Sequence, residues 1–236
     1  MMPTVAVAYV QIVLLVTVHV QCANILITLM HDSISHIGSM KPYFLRLGDA
    51  GHNVTVLDTT PLVKPKYFGD KVNVYHLHVP EKQNYREIMG TALWKPNPSP
   101  LSVPELCVMQ NEVFEKILDE HYDRFKPMLE QKWDVIVSDE LFGVHQFALD
   151  MYHFKKHRTP YIVFGTSNNL FTSQMYSSLG HSGPSQMHTF IQTPRNDEDL
   201  YKPESFWHRL ENFKQHVLEY FGLESYRMSS EQVFTL

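Results

Sequence analysis

At 236 residues, with a net charge of −5 and a pI near 6.3, the chain has the size of one domain and lacks the basic excess of a nucleic-acid binder. Its two cysteines, Cys22 and Cys107, are too few for a disulfide framework.

Residues 1–23 carry no acidic or basic side chain, and Val5 to Val20 is apolar but for Gln11, Thr17 and His19. This segment reads as a secretory signal peptide cleaved after Cys22 or Ala23; an uncleaved anchor helix is the other reading. Either one places the chain in the secretory pathway, at the lumenal side of the endoplasmic reticulum. No later stretch approaches the roughly 18 apolar residues of a membrane-spanning helix.

Ile25 to Leu29 is a short apolar run that suits a buried parallel strand. His31 to Ser39 is small and polar and reads as a loop. From Met40 the apolar positions Met40, Tyr43, Phe44 and Leu47 recur at helical spacing, with Pro42 in the first turn and Gly51 as the cap. Val54, Val56 and Leu57 begin the next strand. Strand, helix and strand make one β-α-β unit of an open α/β sheet, whose ligand crevice lies at the carboxyl ends of the strands. His36 stands there, just before the helix. A neutral imidazole in such a place can act as a general base; a solvated or helix-capping histidine is the alternative, and the chain has 14 histidines. Asn53-Val54-Thr55 is a glycosylation sequon at the start of a strand expected to be buried.

Val72 to Val79 alternates and predicts a third strand, with His76 and His78 on one face. Two histidines without a third ligand at metal-like spacing fit a half-exposed sheet face better than a metal site. Pro80 to Pro104 holds five prolines and reads as irregular, with a helical turn near Tyr85 to Met89. Val103 to Lys132 is the longest helical stretch, kinked or split at Pro127, with Cys107, Val108, Val113, Phe114, Ile117, Leu118, Tyr122, Phe125 and Leu129 as its apolar stripe. Val135 to Val137 follows as a central strand ending near Asp139. Val144 to Lys156 predicts a helix with Phe147, Ala148, Met151 and Tyr152 inward and a basic end at Lys155 to Arg158; His153 and His157 lack the Glu of a zinc-protease helix. Tyr161 to Phe164 is another strand, and Gly165 to Asn169 leaves its carboxyl end toward the crevice. Gly165-Thr166-Ser167 and Gly180-His181-Ser182-Gly183 do not have the spacing of a nucleophile elbow, and no phosphate loop occurs. Gly180 to Pro203 is a polar loop. Glu204 to Phe221 reads as an amphipathic helix, with Phe206, Trp207, Leu210, Phe213, Val217, Leu218 and Phe221 on one side.

Ser35-His36-Ile37-Gly38-Ser39-Met40, then Leu45 to Leu47 and Ala50-Gly51-His52-Asn53-Val54-Thr55-Val56-Leu57, resembles the animal UDP-glycosyltransferases, the glucuronosyltransferases and glucosyltransferases of the endoplasmic reticulum. Trp133-Asp134-Val135-Ile136-Val137-Ser138-Asp139 and Glu204 to Phe213 are similar to two further elements of that family, in the same order. The resemblance runs over about residues 24 to 221 with a divergent middle. It implies an α/β, Rossmann-like, mostly parallel sheet with helices on both faces, one lobe of a two-lobe glycosyltransferase of the GT-B type. It also implies a catalytic pair: His36 as the base, and Asp139 as the aspartate that orients it. On the sequence alone Asp139 reads equally as a helix cap.

The family's His-Gly-Gly nucleotide-sugar signature does not occur in residues 1–236. The resemblance is therefore to the acceptor-binding half: a signal peptide over 1–23, the acceptor domain over 24–221 and a tail over 222–236 preceding a donor domain. The implied partners are a small lipophilic acceptor and, with a donor domain, a UDP-sugar as co-substrate; no cofactor, metal or nucleic acid is implied within this chain. A non-catalytic binding or regulatory module, which holds acceptors or pairs with full-length relatives, is the competing reading.

Overall fold

The computed structural model describes residues 22–32, 34–80, 102–139 and 144–165, with residue 87 and scattered positions from 202 to 221; side chains are described from 109 and from 145 in the last two of those segments. Residues 1–21 of the expected signal peptide over 1–23, nearly all of the proline-rich connection, the side chain of Cys107, Thr166 to Asn169, the loop from Gly180 and the tail over 222–236 lie outside the described residues.

The described strands are β1 (Asn24–Thr28), β2 (Asn53–Thr60), β3 (Val72–His78), β4 (Val135–Asp139) and β5 (Tyr161–Phe164). The described helices are α1 (Ile34–Asp49), α2 (Ser102–Glu120), α3 (Tyr122–Glu130) and α4 (Val144–His157). The strands form one sheet in the order β3-β2-β1-β4-β5, and every pairing is parallel. The chain is thus α/β and Rossmann-like, as expected, and the order reverses between β1 and β4.

Alternation along β1 divides the core. Ile25, Ile27 and Leu29 join Val54, Val56, Met40, Phe44 and Phe68 on the α1 face. Leu26 and Met30 join Leu57, Leu77, Val113, Phe114, Ile117, Phe125, Met128, Trp133, Ile136 and Leu149 on the face covered by α2, α3 and α4. Strands buried on both faces explain the unbroken apolar runs of the sequence. Each fully buried side chain of this kind contributes roughly 1.5–3 kcal/mol. At the amino ends of the strands, Asn73 donates to Asn53 and Asn53 donates to Asn24, each at 2.8 Å. The sequon's amide nitrogen is thus engaged within the fold.

Four expectations change. Helix α1 begins at Ile34, so His36 lies in its first turn rather than in a loop, and Pro42 lies inside the helix. Proline removes the bond to the carbonyl four residues back, here that of Gly38, where an added Cβ would meet nothing within 4 Å. The inward positions of α1 are His36, Met40, Phe44 and Gly48, while Tyr43 is exposed and packs edge-on against Phe164 at 5.0 Å. Gly51 does cap α1: at φ +90° it donates to the Gly48 carbonyl while His52 donates to that of Leu47, a Schellman pair.

The long helix breaks at His121, not at Pro127. Arg124 and Phe125 bond back to the His121 carbonyl, and the new helix direction brings Phe125 edge-on to Phe114 with ring centroids 6.3 Å apart. Tyr122, assigned to the stripe, is exposed. Burial of Phe125 and Met128 decides the break. In α4 the inward residues are His145, Gln146, Leu149, Asp150 and His153, whereas Met151 is exposed and Phe147, Ala148 and Tyr152 are only half-buried. A buried face made mostly of polar residues defeats an apolar-periodicity reading.

Candidate active site

Open parallel sheets bind ligands outside the strand carboxyl ends, where strand order reverses. Here that place lies between β1 and β4, and both residues singled out from sequence occupy it. His36 follows β1 in the first turn of α1, and Asp139 is the last residue of β4. The His36 ring nitrogen Nδ1 lies 2.8 Å from Oδ2 and 2.9 Å from Oδ1 of Asp139. Asp139 is fully buried and His36 is 9% exposed. A carboxylate at this distance fixes the proton on Nδ1, so Nε2 carries the lone pair. The arrangement can therefore take a proton from a group in the crevice and stabilise the resulting imidazolium.

Two histidines not singled out from the sequence stand beside the pair. His145, fully buried in the first turn of α4, donates from Nε2 to the Leu29 carbonyl at 3.2 Å, which ties α4 to the segment leading from β1 to α1. Burial, helped by the charge of His31 and opposed by the Leu29 bond and Asp139, lowers its pKa to about 4. Burial also lowers His31 to about 4, against the opposing pull of Asp32. Both rings are neutral at physiological pH.

On the opposite face of the same strand ends, Thr28 Oγ1 donates to Ser138 Oγ and Ser138 Oγ donates to Asp150 Oδ1, each at 2.8 Å. Thr28 and Ser138 are register partners on β1 and β4. Burial pushes the Asp150 carboxyl up to about 7, with the Ser138 bond pulling the other way. The sequence signal for these groups was polarity at helix positions three and four apart from Leu149 and His153, which apolar counting passes over.

Other described histidines have separate partners. His76 Nδ1 lies 3.3 Å from Asp58 Oδ2, and His78 Nε2 donates to the Pro61 carbonyl at 3.0 Å. Asp58 also accepts the Lys66 backbone N–H at 3.1 Å, so this group anchors the segment after β2. His153 donates to the Met128 carbonyl at 2.9 Å and stacks at a tilt on His157. Among the described residues no group of three or more His, Cys, Asp or Glu side chains is placed to hold a metal ion, and no helix is long and apolar enough to cross a membrane.

No family model and no curated protein sequence matches the chain. Among solved structures it is similar to the crystal structure of CalG4, the calicheamicin glycosyltransferase, at 15% identity and a TM-score of 0.32, over 70% of this chain and 37% of that one. The chain thus spans little more than a third of that protein's length, and what it shares with this glycosyltransferase is a distant structural likeness.

Proposed function

We propose that the chain is the acceptor-binding half of an inverting UDP-glycosyltransferase, with His36 as its catalytic base. The observation that supports this most is the His36–Asp139 contact at the switch point of the sheet, joined by residues 103 positions apart. The motifs around Ser35 to Met40, Gly51 to Leu57 and Trp133 to Asp139 resemble those of the UDP-glycosyltransferases in the same order. In this reading a hydroxyl of a small lipophilic acceptor lies against His36 Nε2. The ring takes the hydroxyl proton while the oxygen attacks the anomeric carbon of a UDP-sugar, and the bond from that carbon to the UDP oxygen breaks with inversion. Asp139 holds the ring and offsets the charge it gains. The UDP-sugar is held by a donor domain, and the uncharged apolar amino terminus directs the chain to the secretory pathway.

The experiment is to fuse residues 24–221 to the donor domain of a UDP-glucosyltransferase and supply UDP-glucose with a panel of small phenols and alcohols. The expected product is the glucoside of inverted anomeric configuration, seen by proton coupling constants. A fusion that folds and binds UDP-glucose yet transfers to no member of the panel overturns the proposal.

A further inference from the structure

Helix α4 buries polar residues where a helix ordinarily buries apolar ones. Gln146 and Asp150, four apart and so on one face, are both fully buried. Both amide atoms of Gln146 and Oδ2 of Asp150 have no hydrogen-bond partner. Helix α2 packs directly on α4 and repeats the pattern. Gln110 and Asn111 are buried, and Gln110 Oε1 and Asn111 Oδ1 are without partners.

The chain direction places these groups. Helix α4 runs from the carboxyl end of β4 back toward the amino end of β5, so its first turn lies at the crevice end of the sheet. Helix α2 leads through α3 into β4 and runs the same way. Gln110 and Asn111 stand one turn before Val113 and Phe114, and Gln146 one turn before Leu149; Val113, Phe114 and Leu149 belong to the apolar core. Gln110, Asn111 and Gln146 therefore stand on the crevice side of that core, and the group continues down α4 to Asp150. It sits on the face of β1 and β4 opposite to His36, where Thr28 and Ser138 reach Asp150.

Buried polar atoms are almost always paired, so orphans on one helix face call for a partner, a ligand group or an internal water among them. We infer that Gln110, Gln146 and Asp150 form a polar subsite that takes an uncharged hydroxyl or carbonyl group of the acceptor, remote from the hydroxyl that reacts at His36. This rests on the acceptor-binding reading above and narrows it: the acceptor is an apolar alcohol with a second polar group. Glutamine amides offer both donors and an acceptor, so they suit hydroxyl and carbonyl groups and not a bare hydrocarbon. The Asp150 carboxyl, held partly protonated by its burial, can donate to the same group.

The test uses the full chain and two bicyclic phenols of similar size. 7-Hydroxycoumarin carries a carbonyl at the end remote from its hydroxyl; 2-naphthol carries none. Fluorescence titration should give an affinity about tenfold higher for 7-hydroxycoumarin, the value of one well-made hydrogen bond. Gln146→Leu should bring the two within about twofold of each other. Should Gln146→Leu fail to fold by circular dichroism, Gln146→Met carries the same expectation, since it removes the same amide donor. Equal binding of both phenols by the unaltered chain, or a preference that survives these variants, overturns the subsite, assigns internal water to the orphaned atoms and leaves the acceptor reading standing. Binding of neither phenol overturns the acceptor reading and the subsite together.

Discussion

The Nδ1 atom of His36 lies within 2.9 Å of both carboxylate oxygens of Asp139, across the point where the strand order of the sheet reverses. One nitrogen of the ring is thereby committed to a buried anion. The ring's tautomer and orientation are set before any ligand arrives, which is the preorganisation that proton transfer requires.

The buried titratable groups predict how stability follows pH. His31 and His145 are lowered to about 4 from an ordinary value of 6.5. Between these values the unfolded chain takes up two protons that the fold refuses, so stability falls on acidification. Asp150 is raised to about 7 from 3.8, so in the same window the fold keeps one proton that the unfolded chain releases. His31 and His145 against Asp150 leave one net proton, a rise in stability of roughly 1.4 kcal/mol per pH unit from about 4 to 6.5, and burial of His153, which lowers it too, adds in the same direction. Asp150→Asn should steepen the rise by about a further 1.4 kcal/mol per pH unit, and urea midpoints at about pH 4.5 and pH 6.5 measure both. An unchanged slope in the variant would contradict the assignment of Asp150.

Three glycines near α1 should respond differently to alanine. Gly38 has open space at its Cβ position inside a helix, so Gly38→Ala should stabilise by roughly 0.5–1 kcal/mol. Gly48→Ala would set a methyl group 2.9 Å from the Lys71 backbone carbonyl, which forces α1 away from the start of β3. Gly51→Ala must adopt φ +90° and should cost about 1–2 kcal/mol. Thermal or urea melts of the three variants check the signs.

Ser138 stands between Thr28 and Asp150 and satisfies both. Ser138→Ala should destabilise by roughly 1–3 kcal/mol, because it leaves two buried polar groups unpaired. Asp150→Leu added to that variant should cost less than it does in the unaltered chain, and the double-mutant cycle should show a coupling of about 1 kcal/mol. Simple additivity would mean that the chain of hydrogen bonds is not formed in solution.

Much of this was legible because the sheet's logic is local. Apolar runs at Ile25 to Leu29 and Val135 to Val137 have the length of strands buried on both faces, and Gly51 follows the last apolar turn where a cap at positive φ falls. The pair His36 and Asp139 was legible only through a resemblance, since nothing in a single sequence shows that two residues this far apart meet. The start of α1 was misjudged because Ser35, Gly38 and Ser39 are weak helix formers; burial of His36 and Met40 holds the first turn in place. The inward face of α4 was misjudged because hydrophobic counting assigns the interior to Phe147 and Met151. His145, Gln146 and Asp150 take it instead, an inversion of the apolar pattern that periodicity does not reveal.

The most direct test of the account is turnover by the donor-domain fusion carrying His36→Ala, Asp139→Asn or both, with acceptor binding measured alongside. A base acts in the transition state, so His36→Ala should lower kcat by roughly 10² to 10⁴ and leave acceptor Kd within about twofold. Asp139→Asn should also lower kcat, since an amide cannot stabilise the imidazolium. The double variant should be no slower than the slower single variant, because both residues serve one proton transfer. Normal turnover by His36→Ala, or losses that multiply in the double variant, would contradict the assignment of His36 as the base held by Asp139.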